Sequence, residues 1–319
     1  MDESRFYKII NQFEQTNDQA GQRLNMRYLA IQKDDEVFEH GFDGFSDLCD
    51  VRSISKTVMA LVLGMIIERS RQKKYPPINE KSNVYPFLKD IVTVTNASNL
   101  EFIKQIKIEH LLTHSIGYRD MLMMRNDIKD LDPHRYVDMV INHPIIDKPG
   151  EAFLYSNAGF FLLSVILQHL IDEDLIQFIQ RELFEPLGIH HFRWEKYGDY
   201  CAGATRLWLN AEDLLKIGQL MLLKGTYDGR QLVSSTWIDK MIKLKYHTPN
   251  YDDPSKLFRL HGYGYGIWLT DTDIYFGYGT DGQFLVMIPK KKMIIVTLAE
   301  HKDVVPIMGI IDDIIRNET

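Results

Sequence analysis

One short apolar segment constrains the fold more than any other part of the chain. Residues 57–67 are apolar at almost every position. A helix that crosses a bilayer needs about 20 such residues, so this segment is too short by roughly half. A chain of 319 residues with 45% hydrophobic side chains can enclose it in a large core. We therefore expect a helix over residues 53–70 that is buried on all sides.

The order of the other predicted elements indicates an α+β fold. An amphipathic first helix and a β-hairpin over residues 26–33 and 36–41 precede the buried helix, and helical segments follow as far as about residue 200. The last third holds four short β-rich segments: 264–269, 274–278, 283–288 and 293–298. Strands with such short connections pair as an antiparallel meander. A final helix is expected over residues 304–316.

These elements predict an antiparallel β-sheet flanked by helices and built from both ends of the chain. The expected sheet domain comprises residues 1–75 and 200–319, and a mostly helical subdomain of residues 76–199 is inserted into it. The cleft between the two parts is the expected position of a functional site.

Charge and cysteine content exclude several functional classes. The 37 basic and 44 acidic residues give a net charge of −7, and the longest basic run is Lys290-Lys291-Lys292. A nucleic-acid-binding surface is normally basic, so nucleic acid is not expected as a partner. Two cysteines, Cys49 and Cys201, cannot form a disulfide framework. The acidic N-terminus lacks the features of a signal peptide, which predicts a cytoplasmic protein with no membrane association.

The buried helix begins with a pattern that suits nucleophilic catalysis. Ser53 and Lys56 are three residues apart, so their side chains share one face of the helix. The positive end of the helix dipole favours negative charge on the Ser53 oxygen. Burial lowers the pKa of a lysine amine, which lets Lys56 accept a proton. A second pair with this spacing, Ser70 and Lys73, is rejected because it lies at the polar end of the same helix.

The segment Tyr155-Ser156-Asn157 supplies further candidates. Tyr155 beside Lys56 could relay the serine proton to a leaving group, and the Asn157 amide could hold both the lysine amine and a substrate carbonyl. The alternative is structural, because serine and asparagine are favoured N-caps. Ser156 or Asn157 could cap the following helix with Tyr155 packed beneath it. The residues alone leave both interpretations open.

The sequence predicts no metal and no cofactor. His110 and His114 are four residues apart on one predicted helical face, but a zinc site needs a third ligand and none follows at a suitable spacing. Glycines 277, 279 and 282 match the spacing of a dinucleotide-binding motif, yet a strand is predicted after them where that motif requires a helix.

Several motifs follow one another over about residues 27–300. They are Ser53-Ile54-Ser55-Lys56, Glu109-His110-Leu111-Leu112-Thr113-His114-Ser115-Ile116-Gly117, Pro149-Gly150-Glu151, Tyr155-Ser156-Asn157, Phe184-Glu185-Pro186-Leu187-Gly188-Ile189, Ala202-Gly203-Ala204-Thr205, Ala211-Glu212-Asp213-Leu214 and Tyr263-Gly264-Tyr265-Gly266. In this order they resemble the class C-like branch of the serine β-lactamase and penicillin-binding-protein superfamily. That branch includes family VIII carboxylesterases, D-aminopeptidases and 6-aminohexanoate-oligomer hydrolases.

The resemblance implies a β-lactamase/transpeptidase-like fold and a serine hydrolase that acts through an acyl-enzyme. It implies Ser53 as the nucleophile, Lys56 as its general base and Tyr155 as the acid/base partner. Asn157 is implied as the residue that orients them by hydrogen bonding. The oxyanion hole is implied to use the backbone N–H groups of Ser53 and of a residue near Thr280.

The third motif departs from the family pattern. The family has Lys-Thr-Gly or a variant with histidine, and its cation binds a substrate carboxylate. Here Tyr278-Gly279-Thr280 occupies this substrate-binding region and has no cation at the first position. A substrate carboxylate would be bound there only if Arg206 or another base reached the region. We therefore expect a small ester or amide that lacks a carboxylate. The alternatives are a β-lactamase or D-alanyl-D-alanine carboxypeptidase, and a non-hydrolysing penicillin-binding or ligand-sensing relative.

Overall fold

A computed structural model of the chain describes residues 1–317, and its centre is an eight-stranded antiparallel sheet. In chain order the strands are β1 (Met26–Lys33), β2 (Glu36–Gly41), β3 (Tyr246–His247), β4 (Gly262–Tyr263), β5 (Trp268–Leu269), β6 (Tyr275–Gly279), β7 (Gln283–Ile288) and β8 (Met293–Ala299). In space their order is β3-β4-β5-β6-β7-β8-β1-β2. The N-terminal hairpin therefore pairs with the last strand, which joins both ends of the chain in one sheet.

Helices cover both faces of this sheet, which confirms the expected α+β architecture. The five longest are α1 (Glu3–Gln15), α2 (Ser55–Arg71), α3 (Ala158–Ile171), α4 (Ala211–Leu222) and α5 (Val305–Asn317). Side chains of a strand point alternately to the two faces. Accordingly, Phe284 belongs to the core that includes α1 and α5, whereas Leu285 belongs to the core that includes α2 and α4.

Shorter elements complete the described chain. The short helices are Tyr85–Leu88, Leu100–Ile103, Ile108–Leu112, Arg125–Ile128, Tyr136–Asn142, Leu175–Ile179 and Ser235–Met241. Cys49–Asp50, Leu207–Leu209 and Arg193–Trp194 form a three-stranded sheet, and two further pairs are Lys196–Tyr197 with Tyr200–Cys201 and Thr226–Tyr227 with Arg230–Gln231. All eight strands of the main sheet lie outside residues 76–199. The division into a sheet domain and an inserted helical subdomain stays a prediction.

The helix α2 is the expected buried segment. Every side chain of residues 57–67 is buried. Gly64 permits a close contact there, since a Cβ atom would come within 2.1 Å of the Trp237 ring, whose Nε1 donates to the Ala60 carbonyl at 2.8 Å. The regular helix begins at Ser55 and not at residue 53, because Arg52–Ile54 form a 3₁₀ turn in front of it.

One predicted strand is shorter than expected. Within residues 264–269, the Gly264 N–H donates to the Ile267 carbonyl at 2.9 Å and closes a turn, so β5 begins at Trp268. Gly266 in this turn has a φ of +70°, a conformation that glycine adopts without steric strain. Strands of two residues, such as β3 and β4, are too short to give an alternating pattern in the sequence. Within residues 1–317, no helix combines the length and apolar composition that crossing a membrane requires.

Candidate active site

Ser53 and Lys56 meet at the start of α2. Lys56 Nζ lies 2.9 Å from Ser53 Oγ. Ser53 occupies the 3₁₀ turn and Lys56 the first turn of α2, so the three-residue spacing brings both side chains to one face. The hydroxyl of the intervening Ser55 donates to the Arg52 carbonyl at 2.6 Å instead. Ser53 is thus the hydroxyl that contacts the amine.

The Lys56 amine is buried next to two carbonyl oxygens. Nζ donates to Asn157 Oδ1 at 2.7 Å and to the Ala204 carbonyl at 3.0 Å. The side chain is completely buried, and this burial lowers the pKa of the amine to about 7. A neutral amine has two N–H donors and one lone pair, and carbonyl oxygens can only accept. As the ammonium, Lys56 can donate to all three oxygens. When the amine is neutral and its two N–H groups serve the carbonyls, its lone pair is left for the Ser53 hydroxyl, whose proton it can take.

Tyr155 is the second titratable group at Ser53. Its hydroxyl is close enough to Ser53 for that residue to influence its pKa, and Lys56 Nζ lies 4.9 Å from its ring centroid. The ring stacks on Trp268 with centroids 5.6 Å apart and an interplanar angle of 22°. Burial raises the pKa of the Tyr155 hydroxyl well above its usual value. Tyr155 is therefore a neutral phenol at neutral pH, which can relay a proton but cannot act as a tyrosinate base.

The two interpretations of residues 155–157 both describe part of the structure. Asn157 occupies the N-cap position of α3, but its side chain makes no capping hydrogen bond. Ser156 Oγ accepts the Ala158 N–H at 3.1 Å in its place. The Asn157 amide instead bridges Lys56, through Oδ1, and the Met123 carbonyl, to which Nδ2 donates at 2.9 Å. This second bond fixes which end of the amide faces the amine.

The strand β6 passes directly over the turn that carries Ser53. A Cβ atom at Gly279 would lie 2.5 Å from the Val51 carbonyl oxygen, and one at Gly277 would lie 3.3 Å from Ile54 side-chain atoms. Tyr278 points to the opposite face of the sheet, where its ring stacks on Phe284 with centroids 4.8 Å apart. Thr280, the next residue after β6, is exposed. The glycines on this face let the third motif, at the end of β6, approach the nucleophile closely.

The backbone N–H of Ser53 is available to a ligand. Among residues 1–317, no acceptor receives a hydrogen bond from it. It lies in the turn that β6 covers, so a carbonyl oxygen placed between Ser53 and the end of β6 would reach this donor. The geometry suits the stabilisation of a developing oxyanion.

Two contacts of the site cannot be recognised from local sequence. The Ala204 carbonyl reaches Lys56 because Gly203, with a φ of +66°, packs where a Cβ atom would lie 2.5 Å from the Phe160 carbonyl oxygen. The motif Ala202-Gly203-Ala204-Thr205 marks this segment, but the motif does not reveal the contact. Trp268, which supports the Tyr155 ring, has no sequence signal of its own.

The two histidines of the predicted helical face have separate partners. His110 Nδ1 accepts the Lys107 N–H at 3.2 Å. His114 is buried, with Nδ1 accepting the Ser156 N–H at 3.4 Å and Nε2 lying 3.1 Å from the Tyr263 hydroxyl oxygen. Burial lowers the pKa of His114 well below its usual value, so the ring is neutral. It supports the segment that carries Tyr155.

Comparison with known sequences yields one family. Residues 10–307 match the protein family described as Beta-lactamase. Penicillin-binding protein 4* of Bacillus subtilis (strain 168) is 24% identical over an alignment of 190 residues that covers 54% of this chain and 38% of that protein. The chain thus matches well under half of the length of this curated relative.

Comparison with solved structures shows a shared fold. EstCE1, described as a hydrolase with promiscuous acyltransferase activity, superimposes with a TM-score of 0.75 at 15% identity, over 97% of this chain and 98% of that one. A D-stereospecific amidohydrolase from Streptomyces sp. gives a TM-score of 0.70 at 14% identity, over 93% of this chain and 94% of that one.

Proposed function

The chain belongs to the beta-lactamase family, and on this premise we propose that it is a serine hydrolase that cleaves a small ester or amide through an acyl-enzyme. The observation that carries the proposal is the environment of Lys56. Its amine is buried, has a pKa of about 7, and lies 2.9 Å from the Ser53 hydroxyl oxygen. An amine in this state is a general base suited to neutral pH.

In the proposed acylation, the Lys56 lone pair takes the Ser53 hydroxyl proton while Oγ attacks the substrate carbonyl carbon. The carbonyl oxygen becomes an oxyanion that accepts from the Ser53 N–H and from an N–H near Thr280. The proton passes from Lys56 through the Tyr155 phenol to the leaving oxygen or nitrogen, and the bond from the carbonyl carbon to that atom breaks. Acyl-Ser53 and the free alcohol or amine result.

Deacylation repeats the sequence with water as the nucleophile. Water loses a proton to Lys56, directly or through Tyr155, as its oxygen attacks the acyl carbon. Collapse of the second tetrahedral intermediate returns this proton to Ser53 Oγ and releases the carboxylic acid. Ser53 and Lys56 thus serve both halves of the reaction.

Charge pairing near β6 supports a substrate that lacks a carboxylate. Arg52 pairs with Asp50 at 2.9 Å and with Asp281 at 3.1 Å. Arg206 lies 3.8 Å from carboxylate oxygens of both Asp50 and Glu195. These neighbouring cations are already matched by three carboxylates, so a substrate carboxylate would find no unmatched charge there. β-Lactams and acyl-D-Ala-D-Ala peptides carry such a carboxylate, which makes them the less favoured substrates.

Intact-mass spectrometry tests the proposal. The protein is incubated with neutral aryl esters, D-amino-acid amides and penicillins, and the mass gained at early times is measured for the natural chain and for Ser53→Ala. We expect an acyl increment from the neutral esters that Ser53→Ala lacks. An increment from penicillins alone that persists without turnover would instead support a non-hydrolysing penicillin-binding protein. No adduct from any compound would contradict the acyl-enzyme mechanism.

A further inference from the structure

The guanidinium of Arg52 joins two segments of the chain at the candidate active site. Arg52 immediately precedes Ser53, and its NH1 donates to Asp50 Oδ2 at 2.9 Å. Its NH2 lies 3.1 Å from Asp281 Oδ2, in the turn Thr280–Gly282 that follows β6. One planar side chain therefore connects the nucleophile turn with the turn after β6, which belong to distant parts of the sequence.

Asp50 binds both the backbone and the side chain of Arg52. Its Oδ1 accepts the Arg52 backbone N–H at 2.9 Å, while its Oδ2 binds the guanidinium. The Asp50 side chain is 6% exposed, whereas those of Arg52 and Asp281 are 29% and 30% exposed. A charged pair that is mostly removed from solvent holds its geometry more firmly than a fully exposed one.

The backbone on both sides of this bridge adopts an unusual conformation. Arg52 has a φ of +52° and Asp281 a φ of +68°, values that side-chain-bearing residues rarely adopt. Such conformations persist where the surrounding contacts determine them. The close packing of Gly279 contributes, because a Cβ atom there would lie 2.8 Å from Arg52 Cβ. The bridge and this contact together fix the distance between Ser53 and the end of β6.

We propose that Arg52 is a positioning residue that sets the separation of the two oxyanion-binding N–H groups by linking Asp50 to Asp281. The inference rests on the proposed hydrolase function, because it gives those N–H groups their role. An oxyanion hole works only when both donors lie within hydrogen-bond distance of the same oxygen. Loosening the turn at residues 280–282 would move one donor while leaving Ser53, Lys56 and Tyr155 in place.

Asp281→Asn tests this link with the smallest change. Asparagine keeps the size of the side chain and tolerates a positive φ, but it removes the charge that Arg52 binds. We expect kcat for a p-nitrophenyl ester to fall about 10- to 100-fold, with KM within about twofold of the natural value. Hydrogen exchange of the backbone amides at 280–282 should be faster. The rise in rate with pH that accompanies deprotonation of Lys56, the acid limb of the pH–rate profile, should stay in place because Lys56 is unchanged.

Arg52→Lys and a double variant test the coupling. Lysine keeps the charge but cannot contact two carboxylates with a planar fork, so we expect a similar fall in kcat. Both substitutions break the same link. The kcat of the double variant, Arg52→Lys with Asp281→Asn, should therefore be no lower than that of the less active single variant. The matched control is Glu182→Gln, which removes the carboxylate partner of Arg69, a residue of α2, in a pair of comparable exposure. It should leave kcat and the exchange at 280–282 unchanged.

The outcomes separate this inference from the proposed function. Natural kcat and natural exchange at 280–282 in Asp281→Asn would overturn the positioning role, as would a shifted acid limb or multiplicative losses in the double variant. If the natural protein forms no acyl adduct, the proposed function fails. The exchange measurement then still decides whether Arg52 holds the turn, because it does not depend on activity.

Discussion

The amide oxygen of Asn157 lies 2.7 Å from the amine of Lys56. Because the amide is uncharged, it binds the amine without stabilising the ammonium form as strongly as a carboxylate would. Burial therefore dominates, and it lowers the pKa of Lys56 to about 7. A neutral partner at this position is what allows a buried lysine to serve as a base at neutral pH.

Asn157→Asp should move the pH dependence of activity. A carboxylate beside the amine favours the ammonium, so the pKa of Lys56 should rise by about one unit or more. The acid limb of kcat/KM for a neutral ester should shift upward from about pH 7 by the same amount. Asn210→Asp is the matched control, because Asn210 caps α4 through its side-chain oxygen and aspartate can do the same. A limb that stays in place in Asn157→Asp would argue against Lys56 as the base.

Tyr155→Phe should separate substrates by their leaving group. The ring and its stacking on Trp268 are retained, and only the proton-relaying hydroxyl is lost. An amide needs a proton on its leaving nitrogen, so we expect its kcat to fall about 10²- to 10⁴-fold. A p-nitrophenyl ester should lose far less, because nitrophenolate leaves without a proton.

The neighbouring tyrosine supplies the control for that experiment. Tyr263 lies with its ring centroid 6.1 Å from that of Tyr155, and its hydroxyl faces His114. Tyr263→Phe should lower both activities equally if it lowers them at all. Equal losses for amide and ester in Tyr155→Phe would contradict the proton-relay role.

Lys56→Met should change how stability depends on pH. The folded state holds the Lys56 pKa near 7, whereas the unfolded chain has the ordinary value of 10.5, so folding disfavours the ammonium. This penalty is largest at and below pH 7, about 5 kcal/mol, and declines as pH rises towards 10.5. Lys56→Met lacks this penalty. The free energy of unfolding of the variant minus that of the natural protein should therefore decrease by roughly 1.4 kcal/mol per pH unit as pH rises from about 7.5 to 9.5.

Urea denaturation at several pH values measures this difference. Comparing the two proteins at each pH cancels contributions from other titrating groups, and the loss of the Ser53, Asn157 and Ala204 contacts shifts the difference by a constant amount. Parallel stability curves over this interval would contradict a depressed lysine pKa.

The sequence predicts local parts of this site better than its long-range contacts. The burial of Lys56 follows from the apolar run at residues 57–67, and its contact with Ser53 follows from helical spacing. In contrast, Asn157 and Ala204 are 101 and 148 residues from Lys56 in the sequence. Periodicity describes only neighbours along one element. The chemistry of the Asn157 amide suggested the first partner, beside a helix-capping alternative, and nothing indicated the second.

The same limit applies to the sheet and to Arg52. The strand β7 begins and ends at the predicted residues 283 and 288, because its continuous apolar run is bounded by turn residues. The bridge from Arg52 to Asp281 depends on two backbone conformations with positive φ, which aspartate adopts more readily than most residues but arginine rarely does. Tertiary packing imposes them, and packing is not encoded in a local pattern.

Rapid-quench mass spectrometry of Ser53 acylation as a function of pH tests the central claim most directly. The natural protein is mixed with a neutral aryl ester, quenched at millisecond times and digested, and acylation of the peptide that contains Ser53 is followed between pH 5 and 9. We expect the acyl group on Ser53, with an acylation rate that rises with pH and levels off above about pH 7 as Lys56 loses its proton. An acyl group on another residue, or a Ser53 acylation rate that is independent of pH, would contradict it.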